Sequence, residues 1–475
     1  MSANLPVKTL GEAAALLQGV FFPNKELLED AAFYGVCTDT RELQPGQLFV
    51  ALSGPSFDGH EFVAQAQQMG AVGAVVSHDP SKNGKNDELN GFPQIVVADT
   101  QRAFAQLAGN WRSQFDIPVV AITGSNGKTT VKEMVAAIFS QRGDVLATQA
   151  NFNNEIGVPR TLLRITQNHV AAVVEEGASH PGDIAYLTEF VQPTVALVTN
   201  AAGAHLEGFG SLDAVAKTKG EIFEGLAEDG VAVINADDDY ADLWRKQAGD
   251  RLVVSFGLSV DADVRAVKSS DGQLHISTGA GEFVVRWLLE GQHNVMNALA
   301  ATAAALAAGA SLAEISAGLA SVVPVPGRLE RKLGIKGAEI LDDTYNANPA
   351  SLVVALDVLA ERKNDRYLAL GDMAELGEQA VNFHQQAGQQ ARDKGVQRLY
   401  AVGEYSRHAA LAFGEEGQHF SAQEQLISQL REDLHDKVTL LVKGSRSAHM
   451  ERVVAALTVN ESANENKNVA AEGRN

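Results

Sequence analysis

The sequence predicts an α/β protein of three domains: a small α/β domain, a central domain with a mostly parallel sheet and a phosphate loop, and a carboxy-terminal Rossmann-like domain. Three observations lead there. The chain has 475 residues, about three times what one ordinary core encloses. Short β-branched apolar runs alternate with helical stretches, the pattern of parallel strands covered on both faces. That alternation starts twice, on either side of the turn-rich stretch Val323-Pro-Val-Pro-Gly327.

In order, 46–52 (GQLFVAL) reads as a buried strand, 59–69 as a helix, and 80–93 (PSKNGKNDELNGFP) as a polar loop at a domain edge. A strand at 118–122 (PVVAI) and a helix at 128–142 open the central block. Strands at 171–175, 195–199 and 231–235 follow, with helices between them, and a helical region at 294–319 closes it. Beyond the turn, strands at 340–342, 367–370, 399–402 and 439–442 form a smaller doubly wound domain. The polar tail 461–475 lacks periodicity and is expected to be disordered. The expected boundaries are 1–97, 98–324 and 325–460.

Composition narrows the function classes. The 38 Lys+Arg and 59 Asp+Glu leave a net charge of −21. That argues against nonspecific binding to nucleic acid or an anionic membrane, while leaving room for a locally basic pocket. With 45% hydrophobic and 20% charged residues, the chain is globular. A single cysteine, Cys37, removes any disulfide framework or cysteine metal cluster and fits a reducing compartment. The start lacks the basic-then-apolar pattern of a secretory signal. The most apolar later stretch, 298–308, is mostly alanine and too short to span a bilayer. A soluble, cytoplasmic protein is expected.

The sharpest local signal is Thr123-Gly-Ser-Asn-Gly-Lys-Thr-Thr130, between an apolar strand and a helix. Gly124 and Gly127 let backbone N–H groups approach phosphate oxygens, Ser125 and Asn126 lie between them, and the helix N-terminus adds partial positive charge. Lys128 then reaches the outer phosphates and the Thr129 hydroxyl suits Mg²⁺. The common phosphate-loop pattern has glycine where this chain has Ile122. Phosphoryl transfer also needs carboxylates at strand ends to hold the metal. Glu175 ends the strand AAVVE, although on pattern alone it reads equally as a surface acid. His205, after VALVTN, reads alone as a loop histidine, and Lys217 and Lys219 as solvated helix charges.

These segments occur in a fixed order: TGSNGKTT, NFNNEIGVP (151–159), VVEEGASHPGDI, AHLEGFGS, AKTKGEIF, GQHNVMNALAA (291–301), PGRLE (326–330), DDTYNANPAS (342–351), LGDMAELG and LVKGSRS. In that order they resemble the Mur ligase family of ATP-dependent amino-acid and peptide ligases, over nearly the whole chain. Within the family, YNANP, LGDMAELG and the amino-terminal CTDTRELQPGQLFVAL…FDGHEF resemble the member that adds D-alanyl-D-alanine to a UDP-N-acetylmuramoyl-tripeptide. The alternative is a sibling, such as the tripeptide-forming enzyme or folylpolyglutamate synthase, that adds a single amino acid. The loop without glycine at 122 also resembles the family's form. Glu176 departs from it, standing where the family has an apolar residue.

The resemblance implies ATP and two Mg²⁺ ions, with Thr129, Glu175, His205 and a CO₂-carbamylated Lys219 as metal ligands. It implies catalytic roles for Lys128, Lys219, His205, Asn154 and Arg328. ATP would meet 123–129, with Asn294 near adenine (Asn297 supporting it), Arg328 at the terminal phosphate and Asp343 at the ribose. The UDP-sugar is expected on Thr38, Asp39, Thr40 and Arg41, whose hydroxyls and guanidinium suit pyrophosphate and uracil. The incoming dipeptide is expected on Tyr345, Asn346, Asn348, Lys443 and Arg446. A monomer making a peptidoglycan precursor is the implied protein.

Overall fold

The computed structural model describes residues 8–22, 30–54, 56–78, 89, 91–202, 206–259, 261–270 and 272–459. His205, most of the 80–93 loop and the 461–475 tail lie outside the described residues.

Three large sheets, besides two of two strands each, organise the described residues. The amino-terminal sheet has five strands in the order Val20–Phe22, Gln94–Val96, Gly73–Val76, Leu48–Val50, Val36–Cys37. The expected strand 46–52 shortens to Leu48–Val50, and the expected helix 59–69 opens as the 3₁₀ turn Gly59–Phe62 before Val63–Gln68.

The central sheet has nine strands. Seven run parallel, in the order Asp144–Ala147, His169–Glu175, Val119–Thr123, Val195–Val198, Val231–Asn235, Leu252–Gly257, Val264–Ser270. Two antiparallel strands, Gln273–Thr278 and Gly281–Arg286, extend the edge. Val119–Thr123 is buried throughout, as expected of a β-branched run covered on both faces. It lies between a later strand on each side, so the strand order reverses there. In such sheets the crevice opens beyond the carboxyl ends of the strands at that point. The phosphate loop begins at that end.

Two cores cover this sheet. One packs Ile184, Leu187, Val215, Phe223 and Trp244 against it. The other packs Val131, Met134, Ile138 and the alanine-rich helix Gln292–Ala307. The expected single helical region 294–319 is two helices. Gly309 turns the chain at φ +82°, and Ser311 caps Leu312–Ser321 in a capping box with Glu314.

The carboxy-terminal sheet runs Glu330–Leu333, Glu339–Asp343, Val438–Lys443, Asp365–Gly371, Arg398–Val402, Gly417–Phe420. The first pair is antiparallel and the rest parallel. The last strand inserts beside the first parallel one, with Asp343 and Lys443 as register partners. Among the described residues, no helix is long and apolar enough to cross a membrane.

Candidate active site

The loop after Val119–Thr123 has one tight passage. Gly124 sits at φ +143°, and a Cβ there would collide with Thr199 Oγ1, so glycine is required. Gly127, at φ +83°, starts the helix Lys128–Phe139. The loop is clamped from the next strand end. Thr199 Oγ1 and Asn200 Nδ2 donate to Asn126 O at 2.7 and 3.1 Å, and Asn126 N donates to Asn200 Oδ1 at 3.1 Å. Thr123 is fully buried and its hydroxyl donates to Glu176 O at 2.8 Å.

Lys128 Nζ donates to Gly124 O at 2.7 Å. Desolvation lowers its pKa, with Glu175 opposing the shift and Arg328 adding to it. Thr129 Oγ1 donates to Glu175 Oε2 at 2.9 Å, and Asn153 Nδ2 holds the other Glu175 oxygen at 2.9 Å. Glu175 is 3% exposed. Thr129, in the first turn of the helix, and Glu175, at the end of the strand His169–Glu175, are hard oxygen donors of the kind Mg²⁺ takes, the ion keeping water and phosphate in its remaining positions. Among the described residues no group of three His, Cys, Asp or Glu could hold a metal, so Thr129 and Glu175 are the donors the structure places together.

Arg328 crosses to this point from the other domain. Its Nη2 donates to Thr129 Oγ1 at 2.9 Å, and its guanidinium lies 4.3 Å from the centroid of the Tyr345 ring. Asn348 Nδ2 donates to Asn126 Oδ1 at 3.0 Å while its own Oδ1 caps Pro349–Ala360. Asp343 accepts the Leu329 N–H at 3.2 Å and forms an ion pair with Lys443. Lys443 is 1% exposed and also donates to Asn346 O at 3.1 Å. Its ammonium is therefore committed to the loop beside it. Asn346 accepts the Ala347 N–H. Arg446 is largely exposed, 3.9 Å from the Glu451 carboxylate.

Asn294 Nδ2 donates to Glu290 O at 2.8 Å, and Asn297 Nδ2 to Asn294 Oδ1 at 3.3 Å. Asn154 Oδ1 accepts the Gly157 N–H at 2.9 Å.

One cleft of about 1400 Å³ gathers these groups. Ser125 to Thr129, Asn154, Glu175, Asn294, Asn297, Arg328, Asp343, Tyr345, Asn346, Asn348, Lys443 and Arg446 line it. Thr123, Gly124 and Lys219 do not. Lys219 is 2% exposed on the helix Leu212–Gly220, 5.7 Å from the Phe209 ring. Burial and then the Lys128 charge lower its pKa to about 7, against Asp183, Glu221 and Glu175.

Beside it Glu176 is fully buried, and neither carboxylate oxygen has a hydrogen-bond partner among the described residues. Burial pushes its pKa well above the usual range, against the Lys219 charge.

Thr38 to Arg41 form a separate turn outside the cleft. Asp39 and Arg41 pair with each other, and their hydrogen bonds hold the Asp39 pKa down at about 2. Thr40 donates to Gln65 Oε1 at 3.2 Å. Glu42 then ties this turn to Arg160 on the helix Gly157–Leu162 at 2.7 Å.

Sequence reasoning missed Asn153, Thr199 and Asn200. Asn153 stood next to the chosen Asn154, and Thr199-Asn200 directly follow an apolar strand, where sheet proteins place ligand-facing residues.

A parallel sheet whose strand order reverses at a glycine loop, reached by an arginine from a second doubly wound domain, defines a phosphate-loop nucleotide site between two domains. Models of the Mur ligase catalytic domain, middle domain and glutamate ligase domain match residues 32–112, 122–305 and 327–446. The chain belongs to the Mur ligase family. It is 45% identical to the UDP-N-acetylmuramoyl-tripeptide–D-alanyl-D-alanine ligase of Escherichia coli K12, over 91% of this chain and 95% of that one. The crystal structure of MurF from Acinetobacter baumannii matches with a TM-score of 0.87 at 34% identity, over 95% and 99% of the two chains. MurF from Thermotoga maritima, solved in complex with ADP, matches with 0.77 at 27% identity, over 89% and 96%.

Proposed function

We propose that this chain is an ATP-dependent ligase that joins D-alanyl-D-alanine to UDP-N-acetylmuramoyl-tripeptide, giving the pentapeptide precursor of peptidoglycan. The observation that carries this reading is the Arg328–Thr129 contact, which closes a phosphate loop against a second domain. The reaction named for the 45%-identical relative supports the substrate pair over addition of a single amino acid.

Amide formation is uphill in water, and ATP supplies the driving force. A terminal carboxylate oxygen of the tripeptide attacks the γ-phosphorus, the bond to ADP breaks, and an acyl phosphate forms. The dipeptide amine then attacks the acyl carbon. The carbon–oxygen bond to phosphate breaks, and phosphate leaves as the amine loses its proton. Lys128 and the amides after Gly124 face the negative charge that builds in the first step. Arg328 adds a second cation from across the cleft and helps exclude water from the acyl phosphate. Thr129 and Glu175, with His205 and a carbamate on Lys219, are the residues we assign to two Mg²⁺ ions, which when bound neutralise phosphate charge. Asn294 and Asp343 are assigned to adenosine.

Residues 1–97 are assigned to the UDP-sugar through Thr38 to Arg41, 98–324 to ATP, and 325–460 to the dipeptide through Tyr345, Asn346, Asn348 and Arg446. Lys443 acts there by holding Asp343 and the Asn346 carbonyl. The enzyme is assigned to the cytoplasm as a monomer.

The test offers the purified protein ATP, Mg²⁺ and UDP-tripeptide with either D-alanyl-D-alanine or single amino acids. Phosphate and pentapeptide appearing together with the dipeptide are expected. Phosphate release with a single amino acid alone would reject the assignment.

A further inference from the structure

Arg328 is held unusually for a buried-side arginine. Among the described residues no carboxylate pairs with it, and its Nε is buried without an acceptor. Two contacts orient the guanidinium: the hydrogen bond to Thr129 Oγ1 at 2.9 Å and the face of the Tyr345 ring at 4.3 Å. A ring face attracts a guanidinium through its quadrupole and leaves the planar N–H fork free to donate outward.

The backbone holds the two residues in register. Tyr345 N donates to Gly327 O at 3.0 Å, and Arg328 N donates to Val325 O at 3.0 Å. Gly327 lies at φ +70°, where a Cβ would stand 3.2 Å from Tyr345 N. Leu329, at φ +51°, is tied through its N–H to Asp343, two residues before Tyr345. The arginine turn and the segment after Glu339–Asp343 are therefore tied together by these hydrogen bonds.

The Thr129 hydroxyl is also a donor atom suited to Mg²⁺. When metal and nucleotide occupy it, the Tyr345 face is the side-chain contact that still aims Arg328. We propose that Tyr345 is a positioning residue for Arg328, so that the wall of the dipeptide pocket also sets the cation at the terminal phosphate. This rests on the functional reading above, in which Arg328 meets that phosphate.

The experiment compares the full chain with Y345F, Y345L, R328A and R328A/Y345L, measuring kcat and the KM for ATP and for D-alanyl-D-alanine. Y345F keeps the ring face and so retains most of the kcat that Y345L loses. Y345L loses about tenfold in kcat, the scale of a desolvated cation–π contact, over and above any rise in the dipeptide KM from the lost pocket wall. In the R328A background, Y345L costs less than about twofold more, since coupled residues are not additive. A raised dipeptide KM at unchanged kcat, or a full tenfold loss persisting without Arg328, would overturn the proposal. If Y345L does not fold, Y345M and Y345W carry the same contrast, with only Y345W retaining kcat. Wild-type activity with the dipeptide is the separate check on the functional reading: its absence sinks that reading, whereas variant behaviour against a working wild type decides the role of Tyr345.

Discussion

Arg328 Nη2 and Thr129 Oγ1 meet at 2.9 Å across 199 residues of sequence. One residue stands at the entrance of the carboxy-terminal domain, the other in the first turn of the phosphate-loop helix. The Thr129 hydroxyl in turn donates a hydrogen bond to Glu175 Oε2 at 2.9 Å, so arginine, hydroxyl and carboxylate form one chain across the cleft.

In the proposed reaction Arg328 is the cation that meets developing phosphate charge, and alanine removes it. We expect kcat to fall by about 10²-fold, the scale for one preorganised donor, while the KM for ATP changes by a few-fold. Steady-state kinetics at saturating tripeptide and dipeptide checks this. Equal losses in ATP binding and turnover would place the arginine in ground-state binding instead.

Lys219 is buried and its amine titrates near 7. CO₂ reacts with the neutral amine, R–NH₂ + CO₂ giving R–NHCOO⁻ and H⁺. The amine is protonated below about pH 7 and neutral above it, so carbamate should increase as pH rises from 6 to 8. Metal-free protein in ¹³C-bicarbonate, followed by ¹³C NMR, reads the carbamate directly. Lys219→Ala should abolish the signal and most activity, with partial recovery in high bicarbonate. A signal of equal size at pH 6 and 8 would count against this. The stability effect has the same sign. Between about 7 and the unfolded value of 10.5 the unfolded chain binds more protons, so this group favours folding more as pH rises.

Glu176 is a buried acid with neither oxygen hydrogen-bonded among the described residues. Leucine there removes that desolvation cost and fills similar volume. Glu176→Leu should raise stability by about 1–3 kcal/mol, seen as a higher urea midpoint at unchanged m-value. Glu176→Gln keeps a buried polar group and should gain little. A lower midpoint for Glu176→Leu would mean that the carboxyl has a stabilising partner.

Asp343 and Lys443 pair across adjacent parallel strands, the lysine 1% exposed. Asp343→Asn strands a buried cation and should cost about 3–5 kcal/mol. Adding Lys443→Met should recover much of that loss. A double-mutant cycle by chemical denaturation tests it, and additive losses would contradict the pairing.

The phosphate loop was legible because its chemistry is local: Gly124 and Gly127 adopt backbone angles that side chains resist. The parallel sheets were legible from buried runs such as 119–123. The antiparallel extension 273–286 was not, since its alternating residues lack such a run. The break at Gly309 was hidden by alanines on its amino-terminal side, which favour continued helix. Lys219 read locally as a solvated charge, and its burial depends on where the helix packs. The Asp343–Lys443 pair depends on the last strand inserting beside the first parallel one, a register no local pattern carries. Glu176 was visible as a departure from the family pattern, while its unpaired state required the fold.

The most direct test of the acyl-phosphate route follows oxygen. With ¹⁸O in the terminal carboxylate of the UDP-tripeptide, released phosphate should carry one carboxylate-derived oxygen, in step with pentapeptide and dependent on D-alanyl-D-alanine. Phosphate free of ¹⁸O while pentapeptide accumulates would contradict transfer through the tripeptide carboxylate.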